Sequence, residues 1–183
     1  MISRIIACTT PYLANAVFSA GLIFLVSVLT LVAALAGEYL FGLQPCALCI
    51  YQRWPYVLTA LISATALFVL YRAEFAKIAA IMVALCGIVF LVGAGIAAYH
   101  VGVQERWWAS GVDGCAVSFN GRSIDDLMAL IDSAPAARCD EVSWRDPVLG
   151  LSMAAHNVIM SLAMAAFSLL SALLIARKAN GVL

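Results

Sequence analysis

The sequence predicts an all-α membrane protein, a bundle of four transmembrane helices, and three observations carry that prediction. Hydrophobic residues are 65% of the 183 and charged ones 11%, with a mean hydropathy of +1.04; a soluble domain holds about 45–50% apolar residues. The apolar residues gather into long runs at about 14–36, 47–71, 78–99 and 148–176, each of a length to supply the ~20 residues that a spanning helix requires. The charges gather between the runs, most densely at about 100–147. Length admits a single membrane domain over 1–183.

The first run carries no charge. Arg4 and the small residues Ala34-Leu35-Ala36 resemble a signal peptide, but the run far exceeds the ~7–15 residues of a signal's apolar core, so it reads as a span. A short loop at about 37–46 follows, and Trp54 and Tyr56 suit the aromatic belt where a chain re-enters the bilayer. After the second run, Arg72, Glu74 and Lys77 make a polar turn too short for another element. The third run contains Gly87, Gly93 and Gly95 among alanines, small residues that let membrane helices approach closely. From His100 to Gly150 the composition becomes polar and rich in tryptophan. Ser123 caps a short helix there, with Ile124, Leu127, Met128 and Ile131 on one face and Pro135 as its stop. It either lies amphipathically on the membrane surface, the preferred reading, or caps the bundle. The last run ends in Arg177-Lys178.

Basic residues set the expected orientation. Arg4, Arg72, Lys77, Arg177 and Lys178 share one side with Glu74 as its acid, whereas Arg53, Arg106, Arg122, Arg138 and Arg145 lie on the other, mostly far along a loop rich in Asp and Glu. Both termini are therefore expected in the cytoplasm, with the cysteine-bearing loops outside.

Those loops hold the chemistry. Cys46 and Cys49 are three residues apart within Gln44-Pro45-Cys46-Ala47-Leu48-Cys49-Ile50-Tyr51-Gln52-Arg53, so their sulfurs can meet. Proline at a first helical position loses no hydrogen bond, and Pro45 suggests a helix opening at the motif. A cysteine in such a first turn feels the positive end of the helix dipole, which favours thiolate. Arg53, four residues beyond Cys49, would share its face; if the helix started at Pro55 instead, that argument would lapse. Arg53 is expected to stabilise a Cys49 thiolate and negative charge on an acceptor, with snorkelling to the headgroups as its bland alternative.

Cys115 and Cys139 lie in the second outer loop. They are either a structural staple or, given a second pair at the same membrane surface, partners in disulfide exchange, which is preferred. Gly114 and the polar Cys139-Asp140-Glu141 suggest accessible sulfurs. Zinc is disfavoured, because all-thiolate sites space each half about two to four residues apart, and no metal is expected. Cys8 and Cys86 read as small buried hydrophobes. A haem motif is missing, since Ile50 follows Cys49, and there is no dinucleotide-binding glycine fingerprint. A lipid-soluble quinone is the electron carrier such a bundle reaches directly.

These residues resemble the disulfide bond formation protein B (DsbB) family of bacterial inner-membrane thiol:quinone oxidoreductases: Pro45-Cys46-Ala47-Leu48-Cys49 with Gln52-Arg53 in the first outer loop, Cys115 and Cys139 in the second, four spans around them. The resemblance implies periplasmic loops and a periplasmic thioredoxin-fold partner, DsbA, in the established relay that keeps that compartment oxidising. It also implies the roles. Reduced DsbA attacks the Cys115–Cys139 disulfide at Cys115, Cys139 attacks Cys46, and Cys49 is released to pass electrons to ubiquinone or menaquinone beside Arg53. His100 falls roughly where the family has a quinone-proximal histidine; a solvated interface histidine is the alternative. Position 52 carries Glu or Gln in the family and so implies nothing, and His156 reads as a packing residue beside Asn157. The membrane and the quinone pool are the other expected partners, and nucleic acid is not one. Rival readings are an oxidase dedicated to one DsbA homologue, a vitamin K epoxide reductase-like protein, and a non-catalytic scaffold with structural disulfides.

Overall fold

The computed structural model describes residues 12–73, 75–112, 115 and 137–182. The amphipathic helix expected at Ser123, along with Arg4, Cys8 and Gly114, lies outside the described residues. Among the described residues five helices follow one another: α1 (Ala16–Phe41), α2 (Ala47–Tyr51), α3 (Arg53–Ala73), α4 (Ala76–Gln104) and α5 (Met153–Ala179). Four spans are long and apolar enough to cross a membrane, α2 and α3 together forming one of them. The all-α, four-span bundle is the architecture that composition and periodicity predict.

Each terminus follows from local chemistry. Asn15 caps α1, its Oδ1 accepting the Val17 and Phe18 N–H groups at 3.1 and 3.2 Å. Gly42 ends the helix at φ +69° with its N–H on the Gly37 carbonyl, a left-handed cap that glycine adopts without a Cβ clash. Ser152 caps α5, accepting from Ala155 N–H at 3.2 Å, and Arg177 and Lys178 occupy its last turn, where cations complement the helix dipole.

The second span settles the question of where the helix starts. α2 opens at Cys46, which is the cap, so Pro45 stands one place outside the helix rather than at its first position. α3 restarts at Arg53 after a turn at Gln52. Pro55 explains the interruption: it has no N–H to offer the Tyr51 carbonyl one turn back, but it is tolerated in the first turn of α3.

α4 packs along α5, and α3 lies against both α1 and α4. Small residues govern two of these approaches. A Cβ built on Gly87 would lie 2.8 Å from Leu169 Cγ, and one on Gly93 would lie 3.1 Å from Pro55 Cβ. Gly95, expected to act likewise, has nothing within 4 Å; it falls on the lipid-facing groove between α3 and α4 rather than at a helix contact. The core between the helices holds Ile23, Tyr56, Val83, Cys86, Phe90 and Met164. Cys86 is fully buried, the small hydrophobe expected of it.

Candidate redox site

The outer end of the bundle gathers side chains from α2, α3, α4, α5 and the loop preceding α5. Because Cys46 is the N-cap of α2, its sulfur faces the N–H groups of that helix's first turn and accepts from Cys49 N–H at 3.4 Å. The Cys49 sulfur lies 3.0 Å from the Cys46 sulfur, within hydrogen-bond reach. His100, near the end of α4 and 2% exposed, brings Nε2 within 3.6 Å of it. A backbone N–H, a second sulfur and an imidazole thus converge on one buried sulfur. Cys46 is held far below the ordinary thiol range, at about 4, chiefly by the hydrogen bond from Cys49, with burial opposing and His100 adding to the effect. The cap position and the His100 neighbour favour a thiolate at Cys46, where the sequence reading expected one at Cys49.

Arg53, which lines the same cavity as both sulfurs, pairs with Glu38 at the end of α1, with Nη1 to Oε2 at 2.7 Å. Glu38 drew no functional reading from the sequence, since an acid in a short loop carries no local motif.

Cys115 and Cys139 form a disulfide. The loop brings it into one packed cluster with Cys46, Leu48 and Val103, with Cys49 at the margin. Both sulfurs are fully buried, contrary to the accessibility that their polar sequence neighbours suggested, because the bridge turns inward onto α2 and α4. Beside it, Arg138 chelates Asp140 at 2.6 and 3.0 Å and holds that carboxyl below its usual range. His156 makes a local contact, Nδ1 to the Ser152 carbonyl at 3.0 Å, the packing role expected of it.

Sequence reasoning missed the polar chain beneath His100. Gln52 Nε2 meets His100 Nδ1 at 2.7 Å and the Leu48 carbonyl at 3.2 Å. Asn157 Nδ2 donates to Gln52 Oε1 at 2.6 Å, and Tyr56 O–H donates to Asn157 Oδ1 at 2.5 Å. Asn157 comes from α5, 105 residues beyond Gln52, so no spacing rule joins them.

A cavity of about 620 Å³ opens beside these groups between α1, α3 and α5. Cys46, Cys49, Arg53, His100 and Gln104 line its polar end and Met160 part of its apolar wall. Gln104 Oε1 is a buried acceptor without a donor among the described residues.

A family profile described as disulfide bond formation protein DsbB matches residues 17–171. The chain is 30% identical over 147 residues to disulfide bond formation protein B of Herminiimonas arsenicoxydans, covering 79% of this chain and 87% of that one. It is 27% identical over 145 residues to an uncharacterized protein of Rickettsia prowazekii (strain Madrid E), covering 78% and 79% respectively. No solved structure matches it.

Proposed function

The chain belongs to the disulfide bond formation protein DsbB family, and from that premise we propose that it reoxidises a periplasmic DsbA-like dithiol oxidase and delivers the electrons to a membrane quinone. Membership makes it an oxidoreductase of the disulfide-forming machinery and a multi-pass protein of an inner-membrane family that works with DsbA and uses quinones. The routing through individual residues, the orientation and the acceptor are our reading.

The observation that carries it is the shared cluster: the Cys115–Cys139 disulfide packs with Cys46, and Cys46 and Cys49 stand beside a cavity large enough for a ring and part of its tail. In the resting oxidised enzyme both pairs are disulfides. A partner thiolate attacks Cys115 and Cys139 leaves; Cys139 attacks Cys46 and Cys49 leaves as thiolate. The partner's second thiol then closes its own disulfide on release from Cys115. Each step breaks one S–S bond and forms another, so the partner's two electrons come to rest on the cysteines of this chain. Stabilising a thiolate at Cys46 stabilises the reduced form of its pair and makes that pair a stronger oxidant, as oxidation of a DsbA demands.

The residues around the cavity fit ubiquinone or menaquinone. Arg53 supplies a permanent positive charge, His100 an N–H or an acceptor, and Gln104 Oε1 a buried acceptor that a hydroxyl would satisfy. When bound, the quinone supplies a sink for two electrons and two protons. Arg72, Lys77, Arg177 and Lys178 at the opposite ends of the spans favour a cytoplasmic side there, with the redox end in the periplasm.

The test is turnover of the purified protein with reduced DsbA and quinone, wild type beside Cys49→Ala. Quinone reduction in the wild type alone supports the relay. Equal reduction by both would leave the motif structural and return the scaffold reading.

A further inference from the structure

We propose that Gln52 is a positioning residue for the dithiol: anchored by Asn157, it fixes the tautomer of His100 so that the ring carries its proton on Nε2 and aims it at the Cys46 sulfur. The inference rests on Cys46 and Cys49 being the redox pair.

The orientation of the Gln52 amide is over-determined. The Leu48 carbonyl accepts hydrogen bonds and cannot give one, so the atom of Gln52 lying 3.2 Å from it is the amide nitrogen. The other atom, Oε1, receives Asn157 Nδ2 at 2.6 Å. Asn157 cannot turn over, because that would set its Oδ1 against Gln52 Oε1, an acceptor only; as it stands its Oδ1 accepts from Tyr56 O–H and Ser161 O–H. The nitrogen so fixed lies 2.7 Å from His100 Nδ1. A donor facing Nδ1 requires a lone pair there, and a neutral imidazole bare at Nδ1 carries its proton on Nε2. That nitrogen faces Cys46 Sγ at 3.6 Å.

Two consequences follow for the site. Cys46 Sγ, Cys49 Sγ and a His100 ring nitrogen lie within 4.8 Å of one another, so the same N–H serves Cys46 in the reduced pair and is within reach of Cys49 once Cys46 is bonded to another sulfur. The three atoms also have the spacing of a metal site, but a protonated Nε2 withholds its lone pair. Metal-bound histidines instead donate their other ring N–H to an acceptor, the reverse of what Gln52 imposes. A glutamate at position 52, an acceptor only, would draw the proton to Nδ1. Gln and Glu are therefore not equivalent here.

The test is 15N NMR of the full-length reduced protein in nanodiscs, with its two histidines labelled and His156→Asn used for assignment. At pH 8, above the usual imidazole pKa of ~6.5, the wild type should show His100 bare at Nδ1 and protonated at Nε2. His156 should show the reverse, since the Ser152 carbonyl takes its Nδ1 proton, and it reports whether each variant is folded. In Gln52→Glu, His100 Nδ1 should become proton-bearing. In Asn157→Leu, the pH below which Cys46 alkylation falls off should rise by about half to one unit, the worth of one hydrogen bond. A wild-type His100 protonated at Nδ1 overturns the proposal without reference to any variant. So does a Gln52→Glu protein with His156 unchanged and the His100 tautomer unmoved. The expected tautomer in a protein that fails to reduce quinone would uphold the positioning role and remove the proposed function instead.

Discussion

Cys46 and Cys49 have the same side chain and opposite surroundings, and at the scale of the residue that difference decides the chemistry. Cys46 accepts from a backbone N–H, has the Cys49 sulfur at 3.0 Å and His100 Nε2 at 3.6 Å, and is held at about 4. A lowered pKa leaves the group charged at neutral pH, so the folded reduced state gains stability from this thiolate at high pH. That gain is lost progressively as the pH falls from the ordinary thiol pKa of ~8.5 to about 4. Alkylation of Cys46 in the reduced protein, followed by mass spectrometry of the two cysteines separately, should thus hold its rate from pH 8 to about pH 5; an ordinary thiol of pKa ~8.5 slows tenfold per unit below that value. Such a decline from pH 8 downward would refute the assignment. Glu38→Gln removes the partner of Arg53 across a pair that is about one-fifth exposed on each side. Because the pair is mostly buried, the change leaves the Arg53 charge without its partner, so the melting temperature should fall, whereas Arg53→Ala should raise the KM for quinone.

At the scale of the element, the breaks and close approaches are local consequences of proline and glycine. Pro55 divides the second span at Gln52, and the turn puts the Gln52 side chain beneath His100. Gly93→Val should destabilise the bundle by about 1–3 kcal/mol through overpacking, because its first carbon already meets Pro55 at 3.1 Å. Gly95→Ala should leave stability unchanged or raise it by up to about 1 kcal/mol, since nothing lies within 4 Å. Thermal melts in detergent distinguish the two; equal losses would mean that the α3–α4 contact is misplaced. The difference between these glycines was invisible in the sequence, where both sat in one stretch of small residues. Gly102 is more constrained still: a Cβ there would lie 2.0 Å from the Trp108 indole, which stacks on Tyr99 and donates to its carbonyl at 3.2 Å.

For the whole molecule, the up-and-down path of the spans puts Arg72, Lys77, Arg177 and Lys178 at one end and both cysteine pairs at the other. A membrane-impermeant maleimide applied to reduced spheroplasts should label a cysteine placed at exposed Val148 and spare one placed at exposed Val182. Labelling of Val182→Cys with protection of Val148→Cys would invert the orientation and remove access of a periplasmic partner. The buried state of Cys115 and Cys139 adds a requirement to the proposed relay: Cys115 must become accessible before a partner thiolate can attack it.

The sequence by itself determined the class of fold, the number of spans and the identity of the cysteines, because apolar run length and a three-residue spacing are local properties that the bilayer and the backbone read directly. It also determined that α2 opens at the motif, though not that Cys46 would be its cap. Tertiary structure alone decided which sulfur collects the donors, that Arg53 pairs with Glu38, and that the second disulfide turns inward. It alone joined Gln52 to Asn157 across 105 residues. Those outcomes depend on how helices far apart in the chain meet, and a buried polar side chain takes whatever partner that packing brings within about 3 Å, which no periodicity encodes.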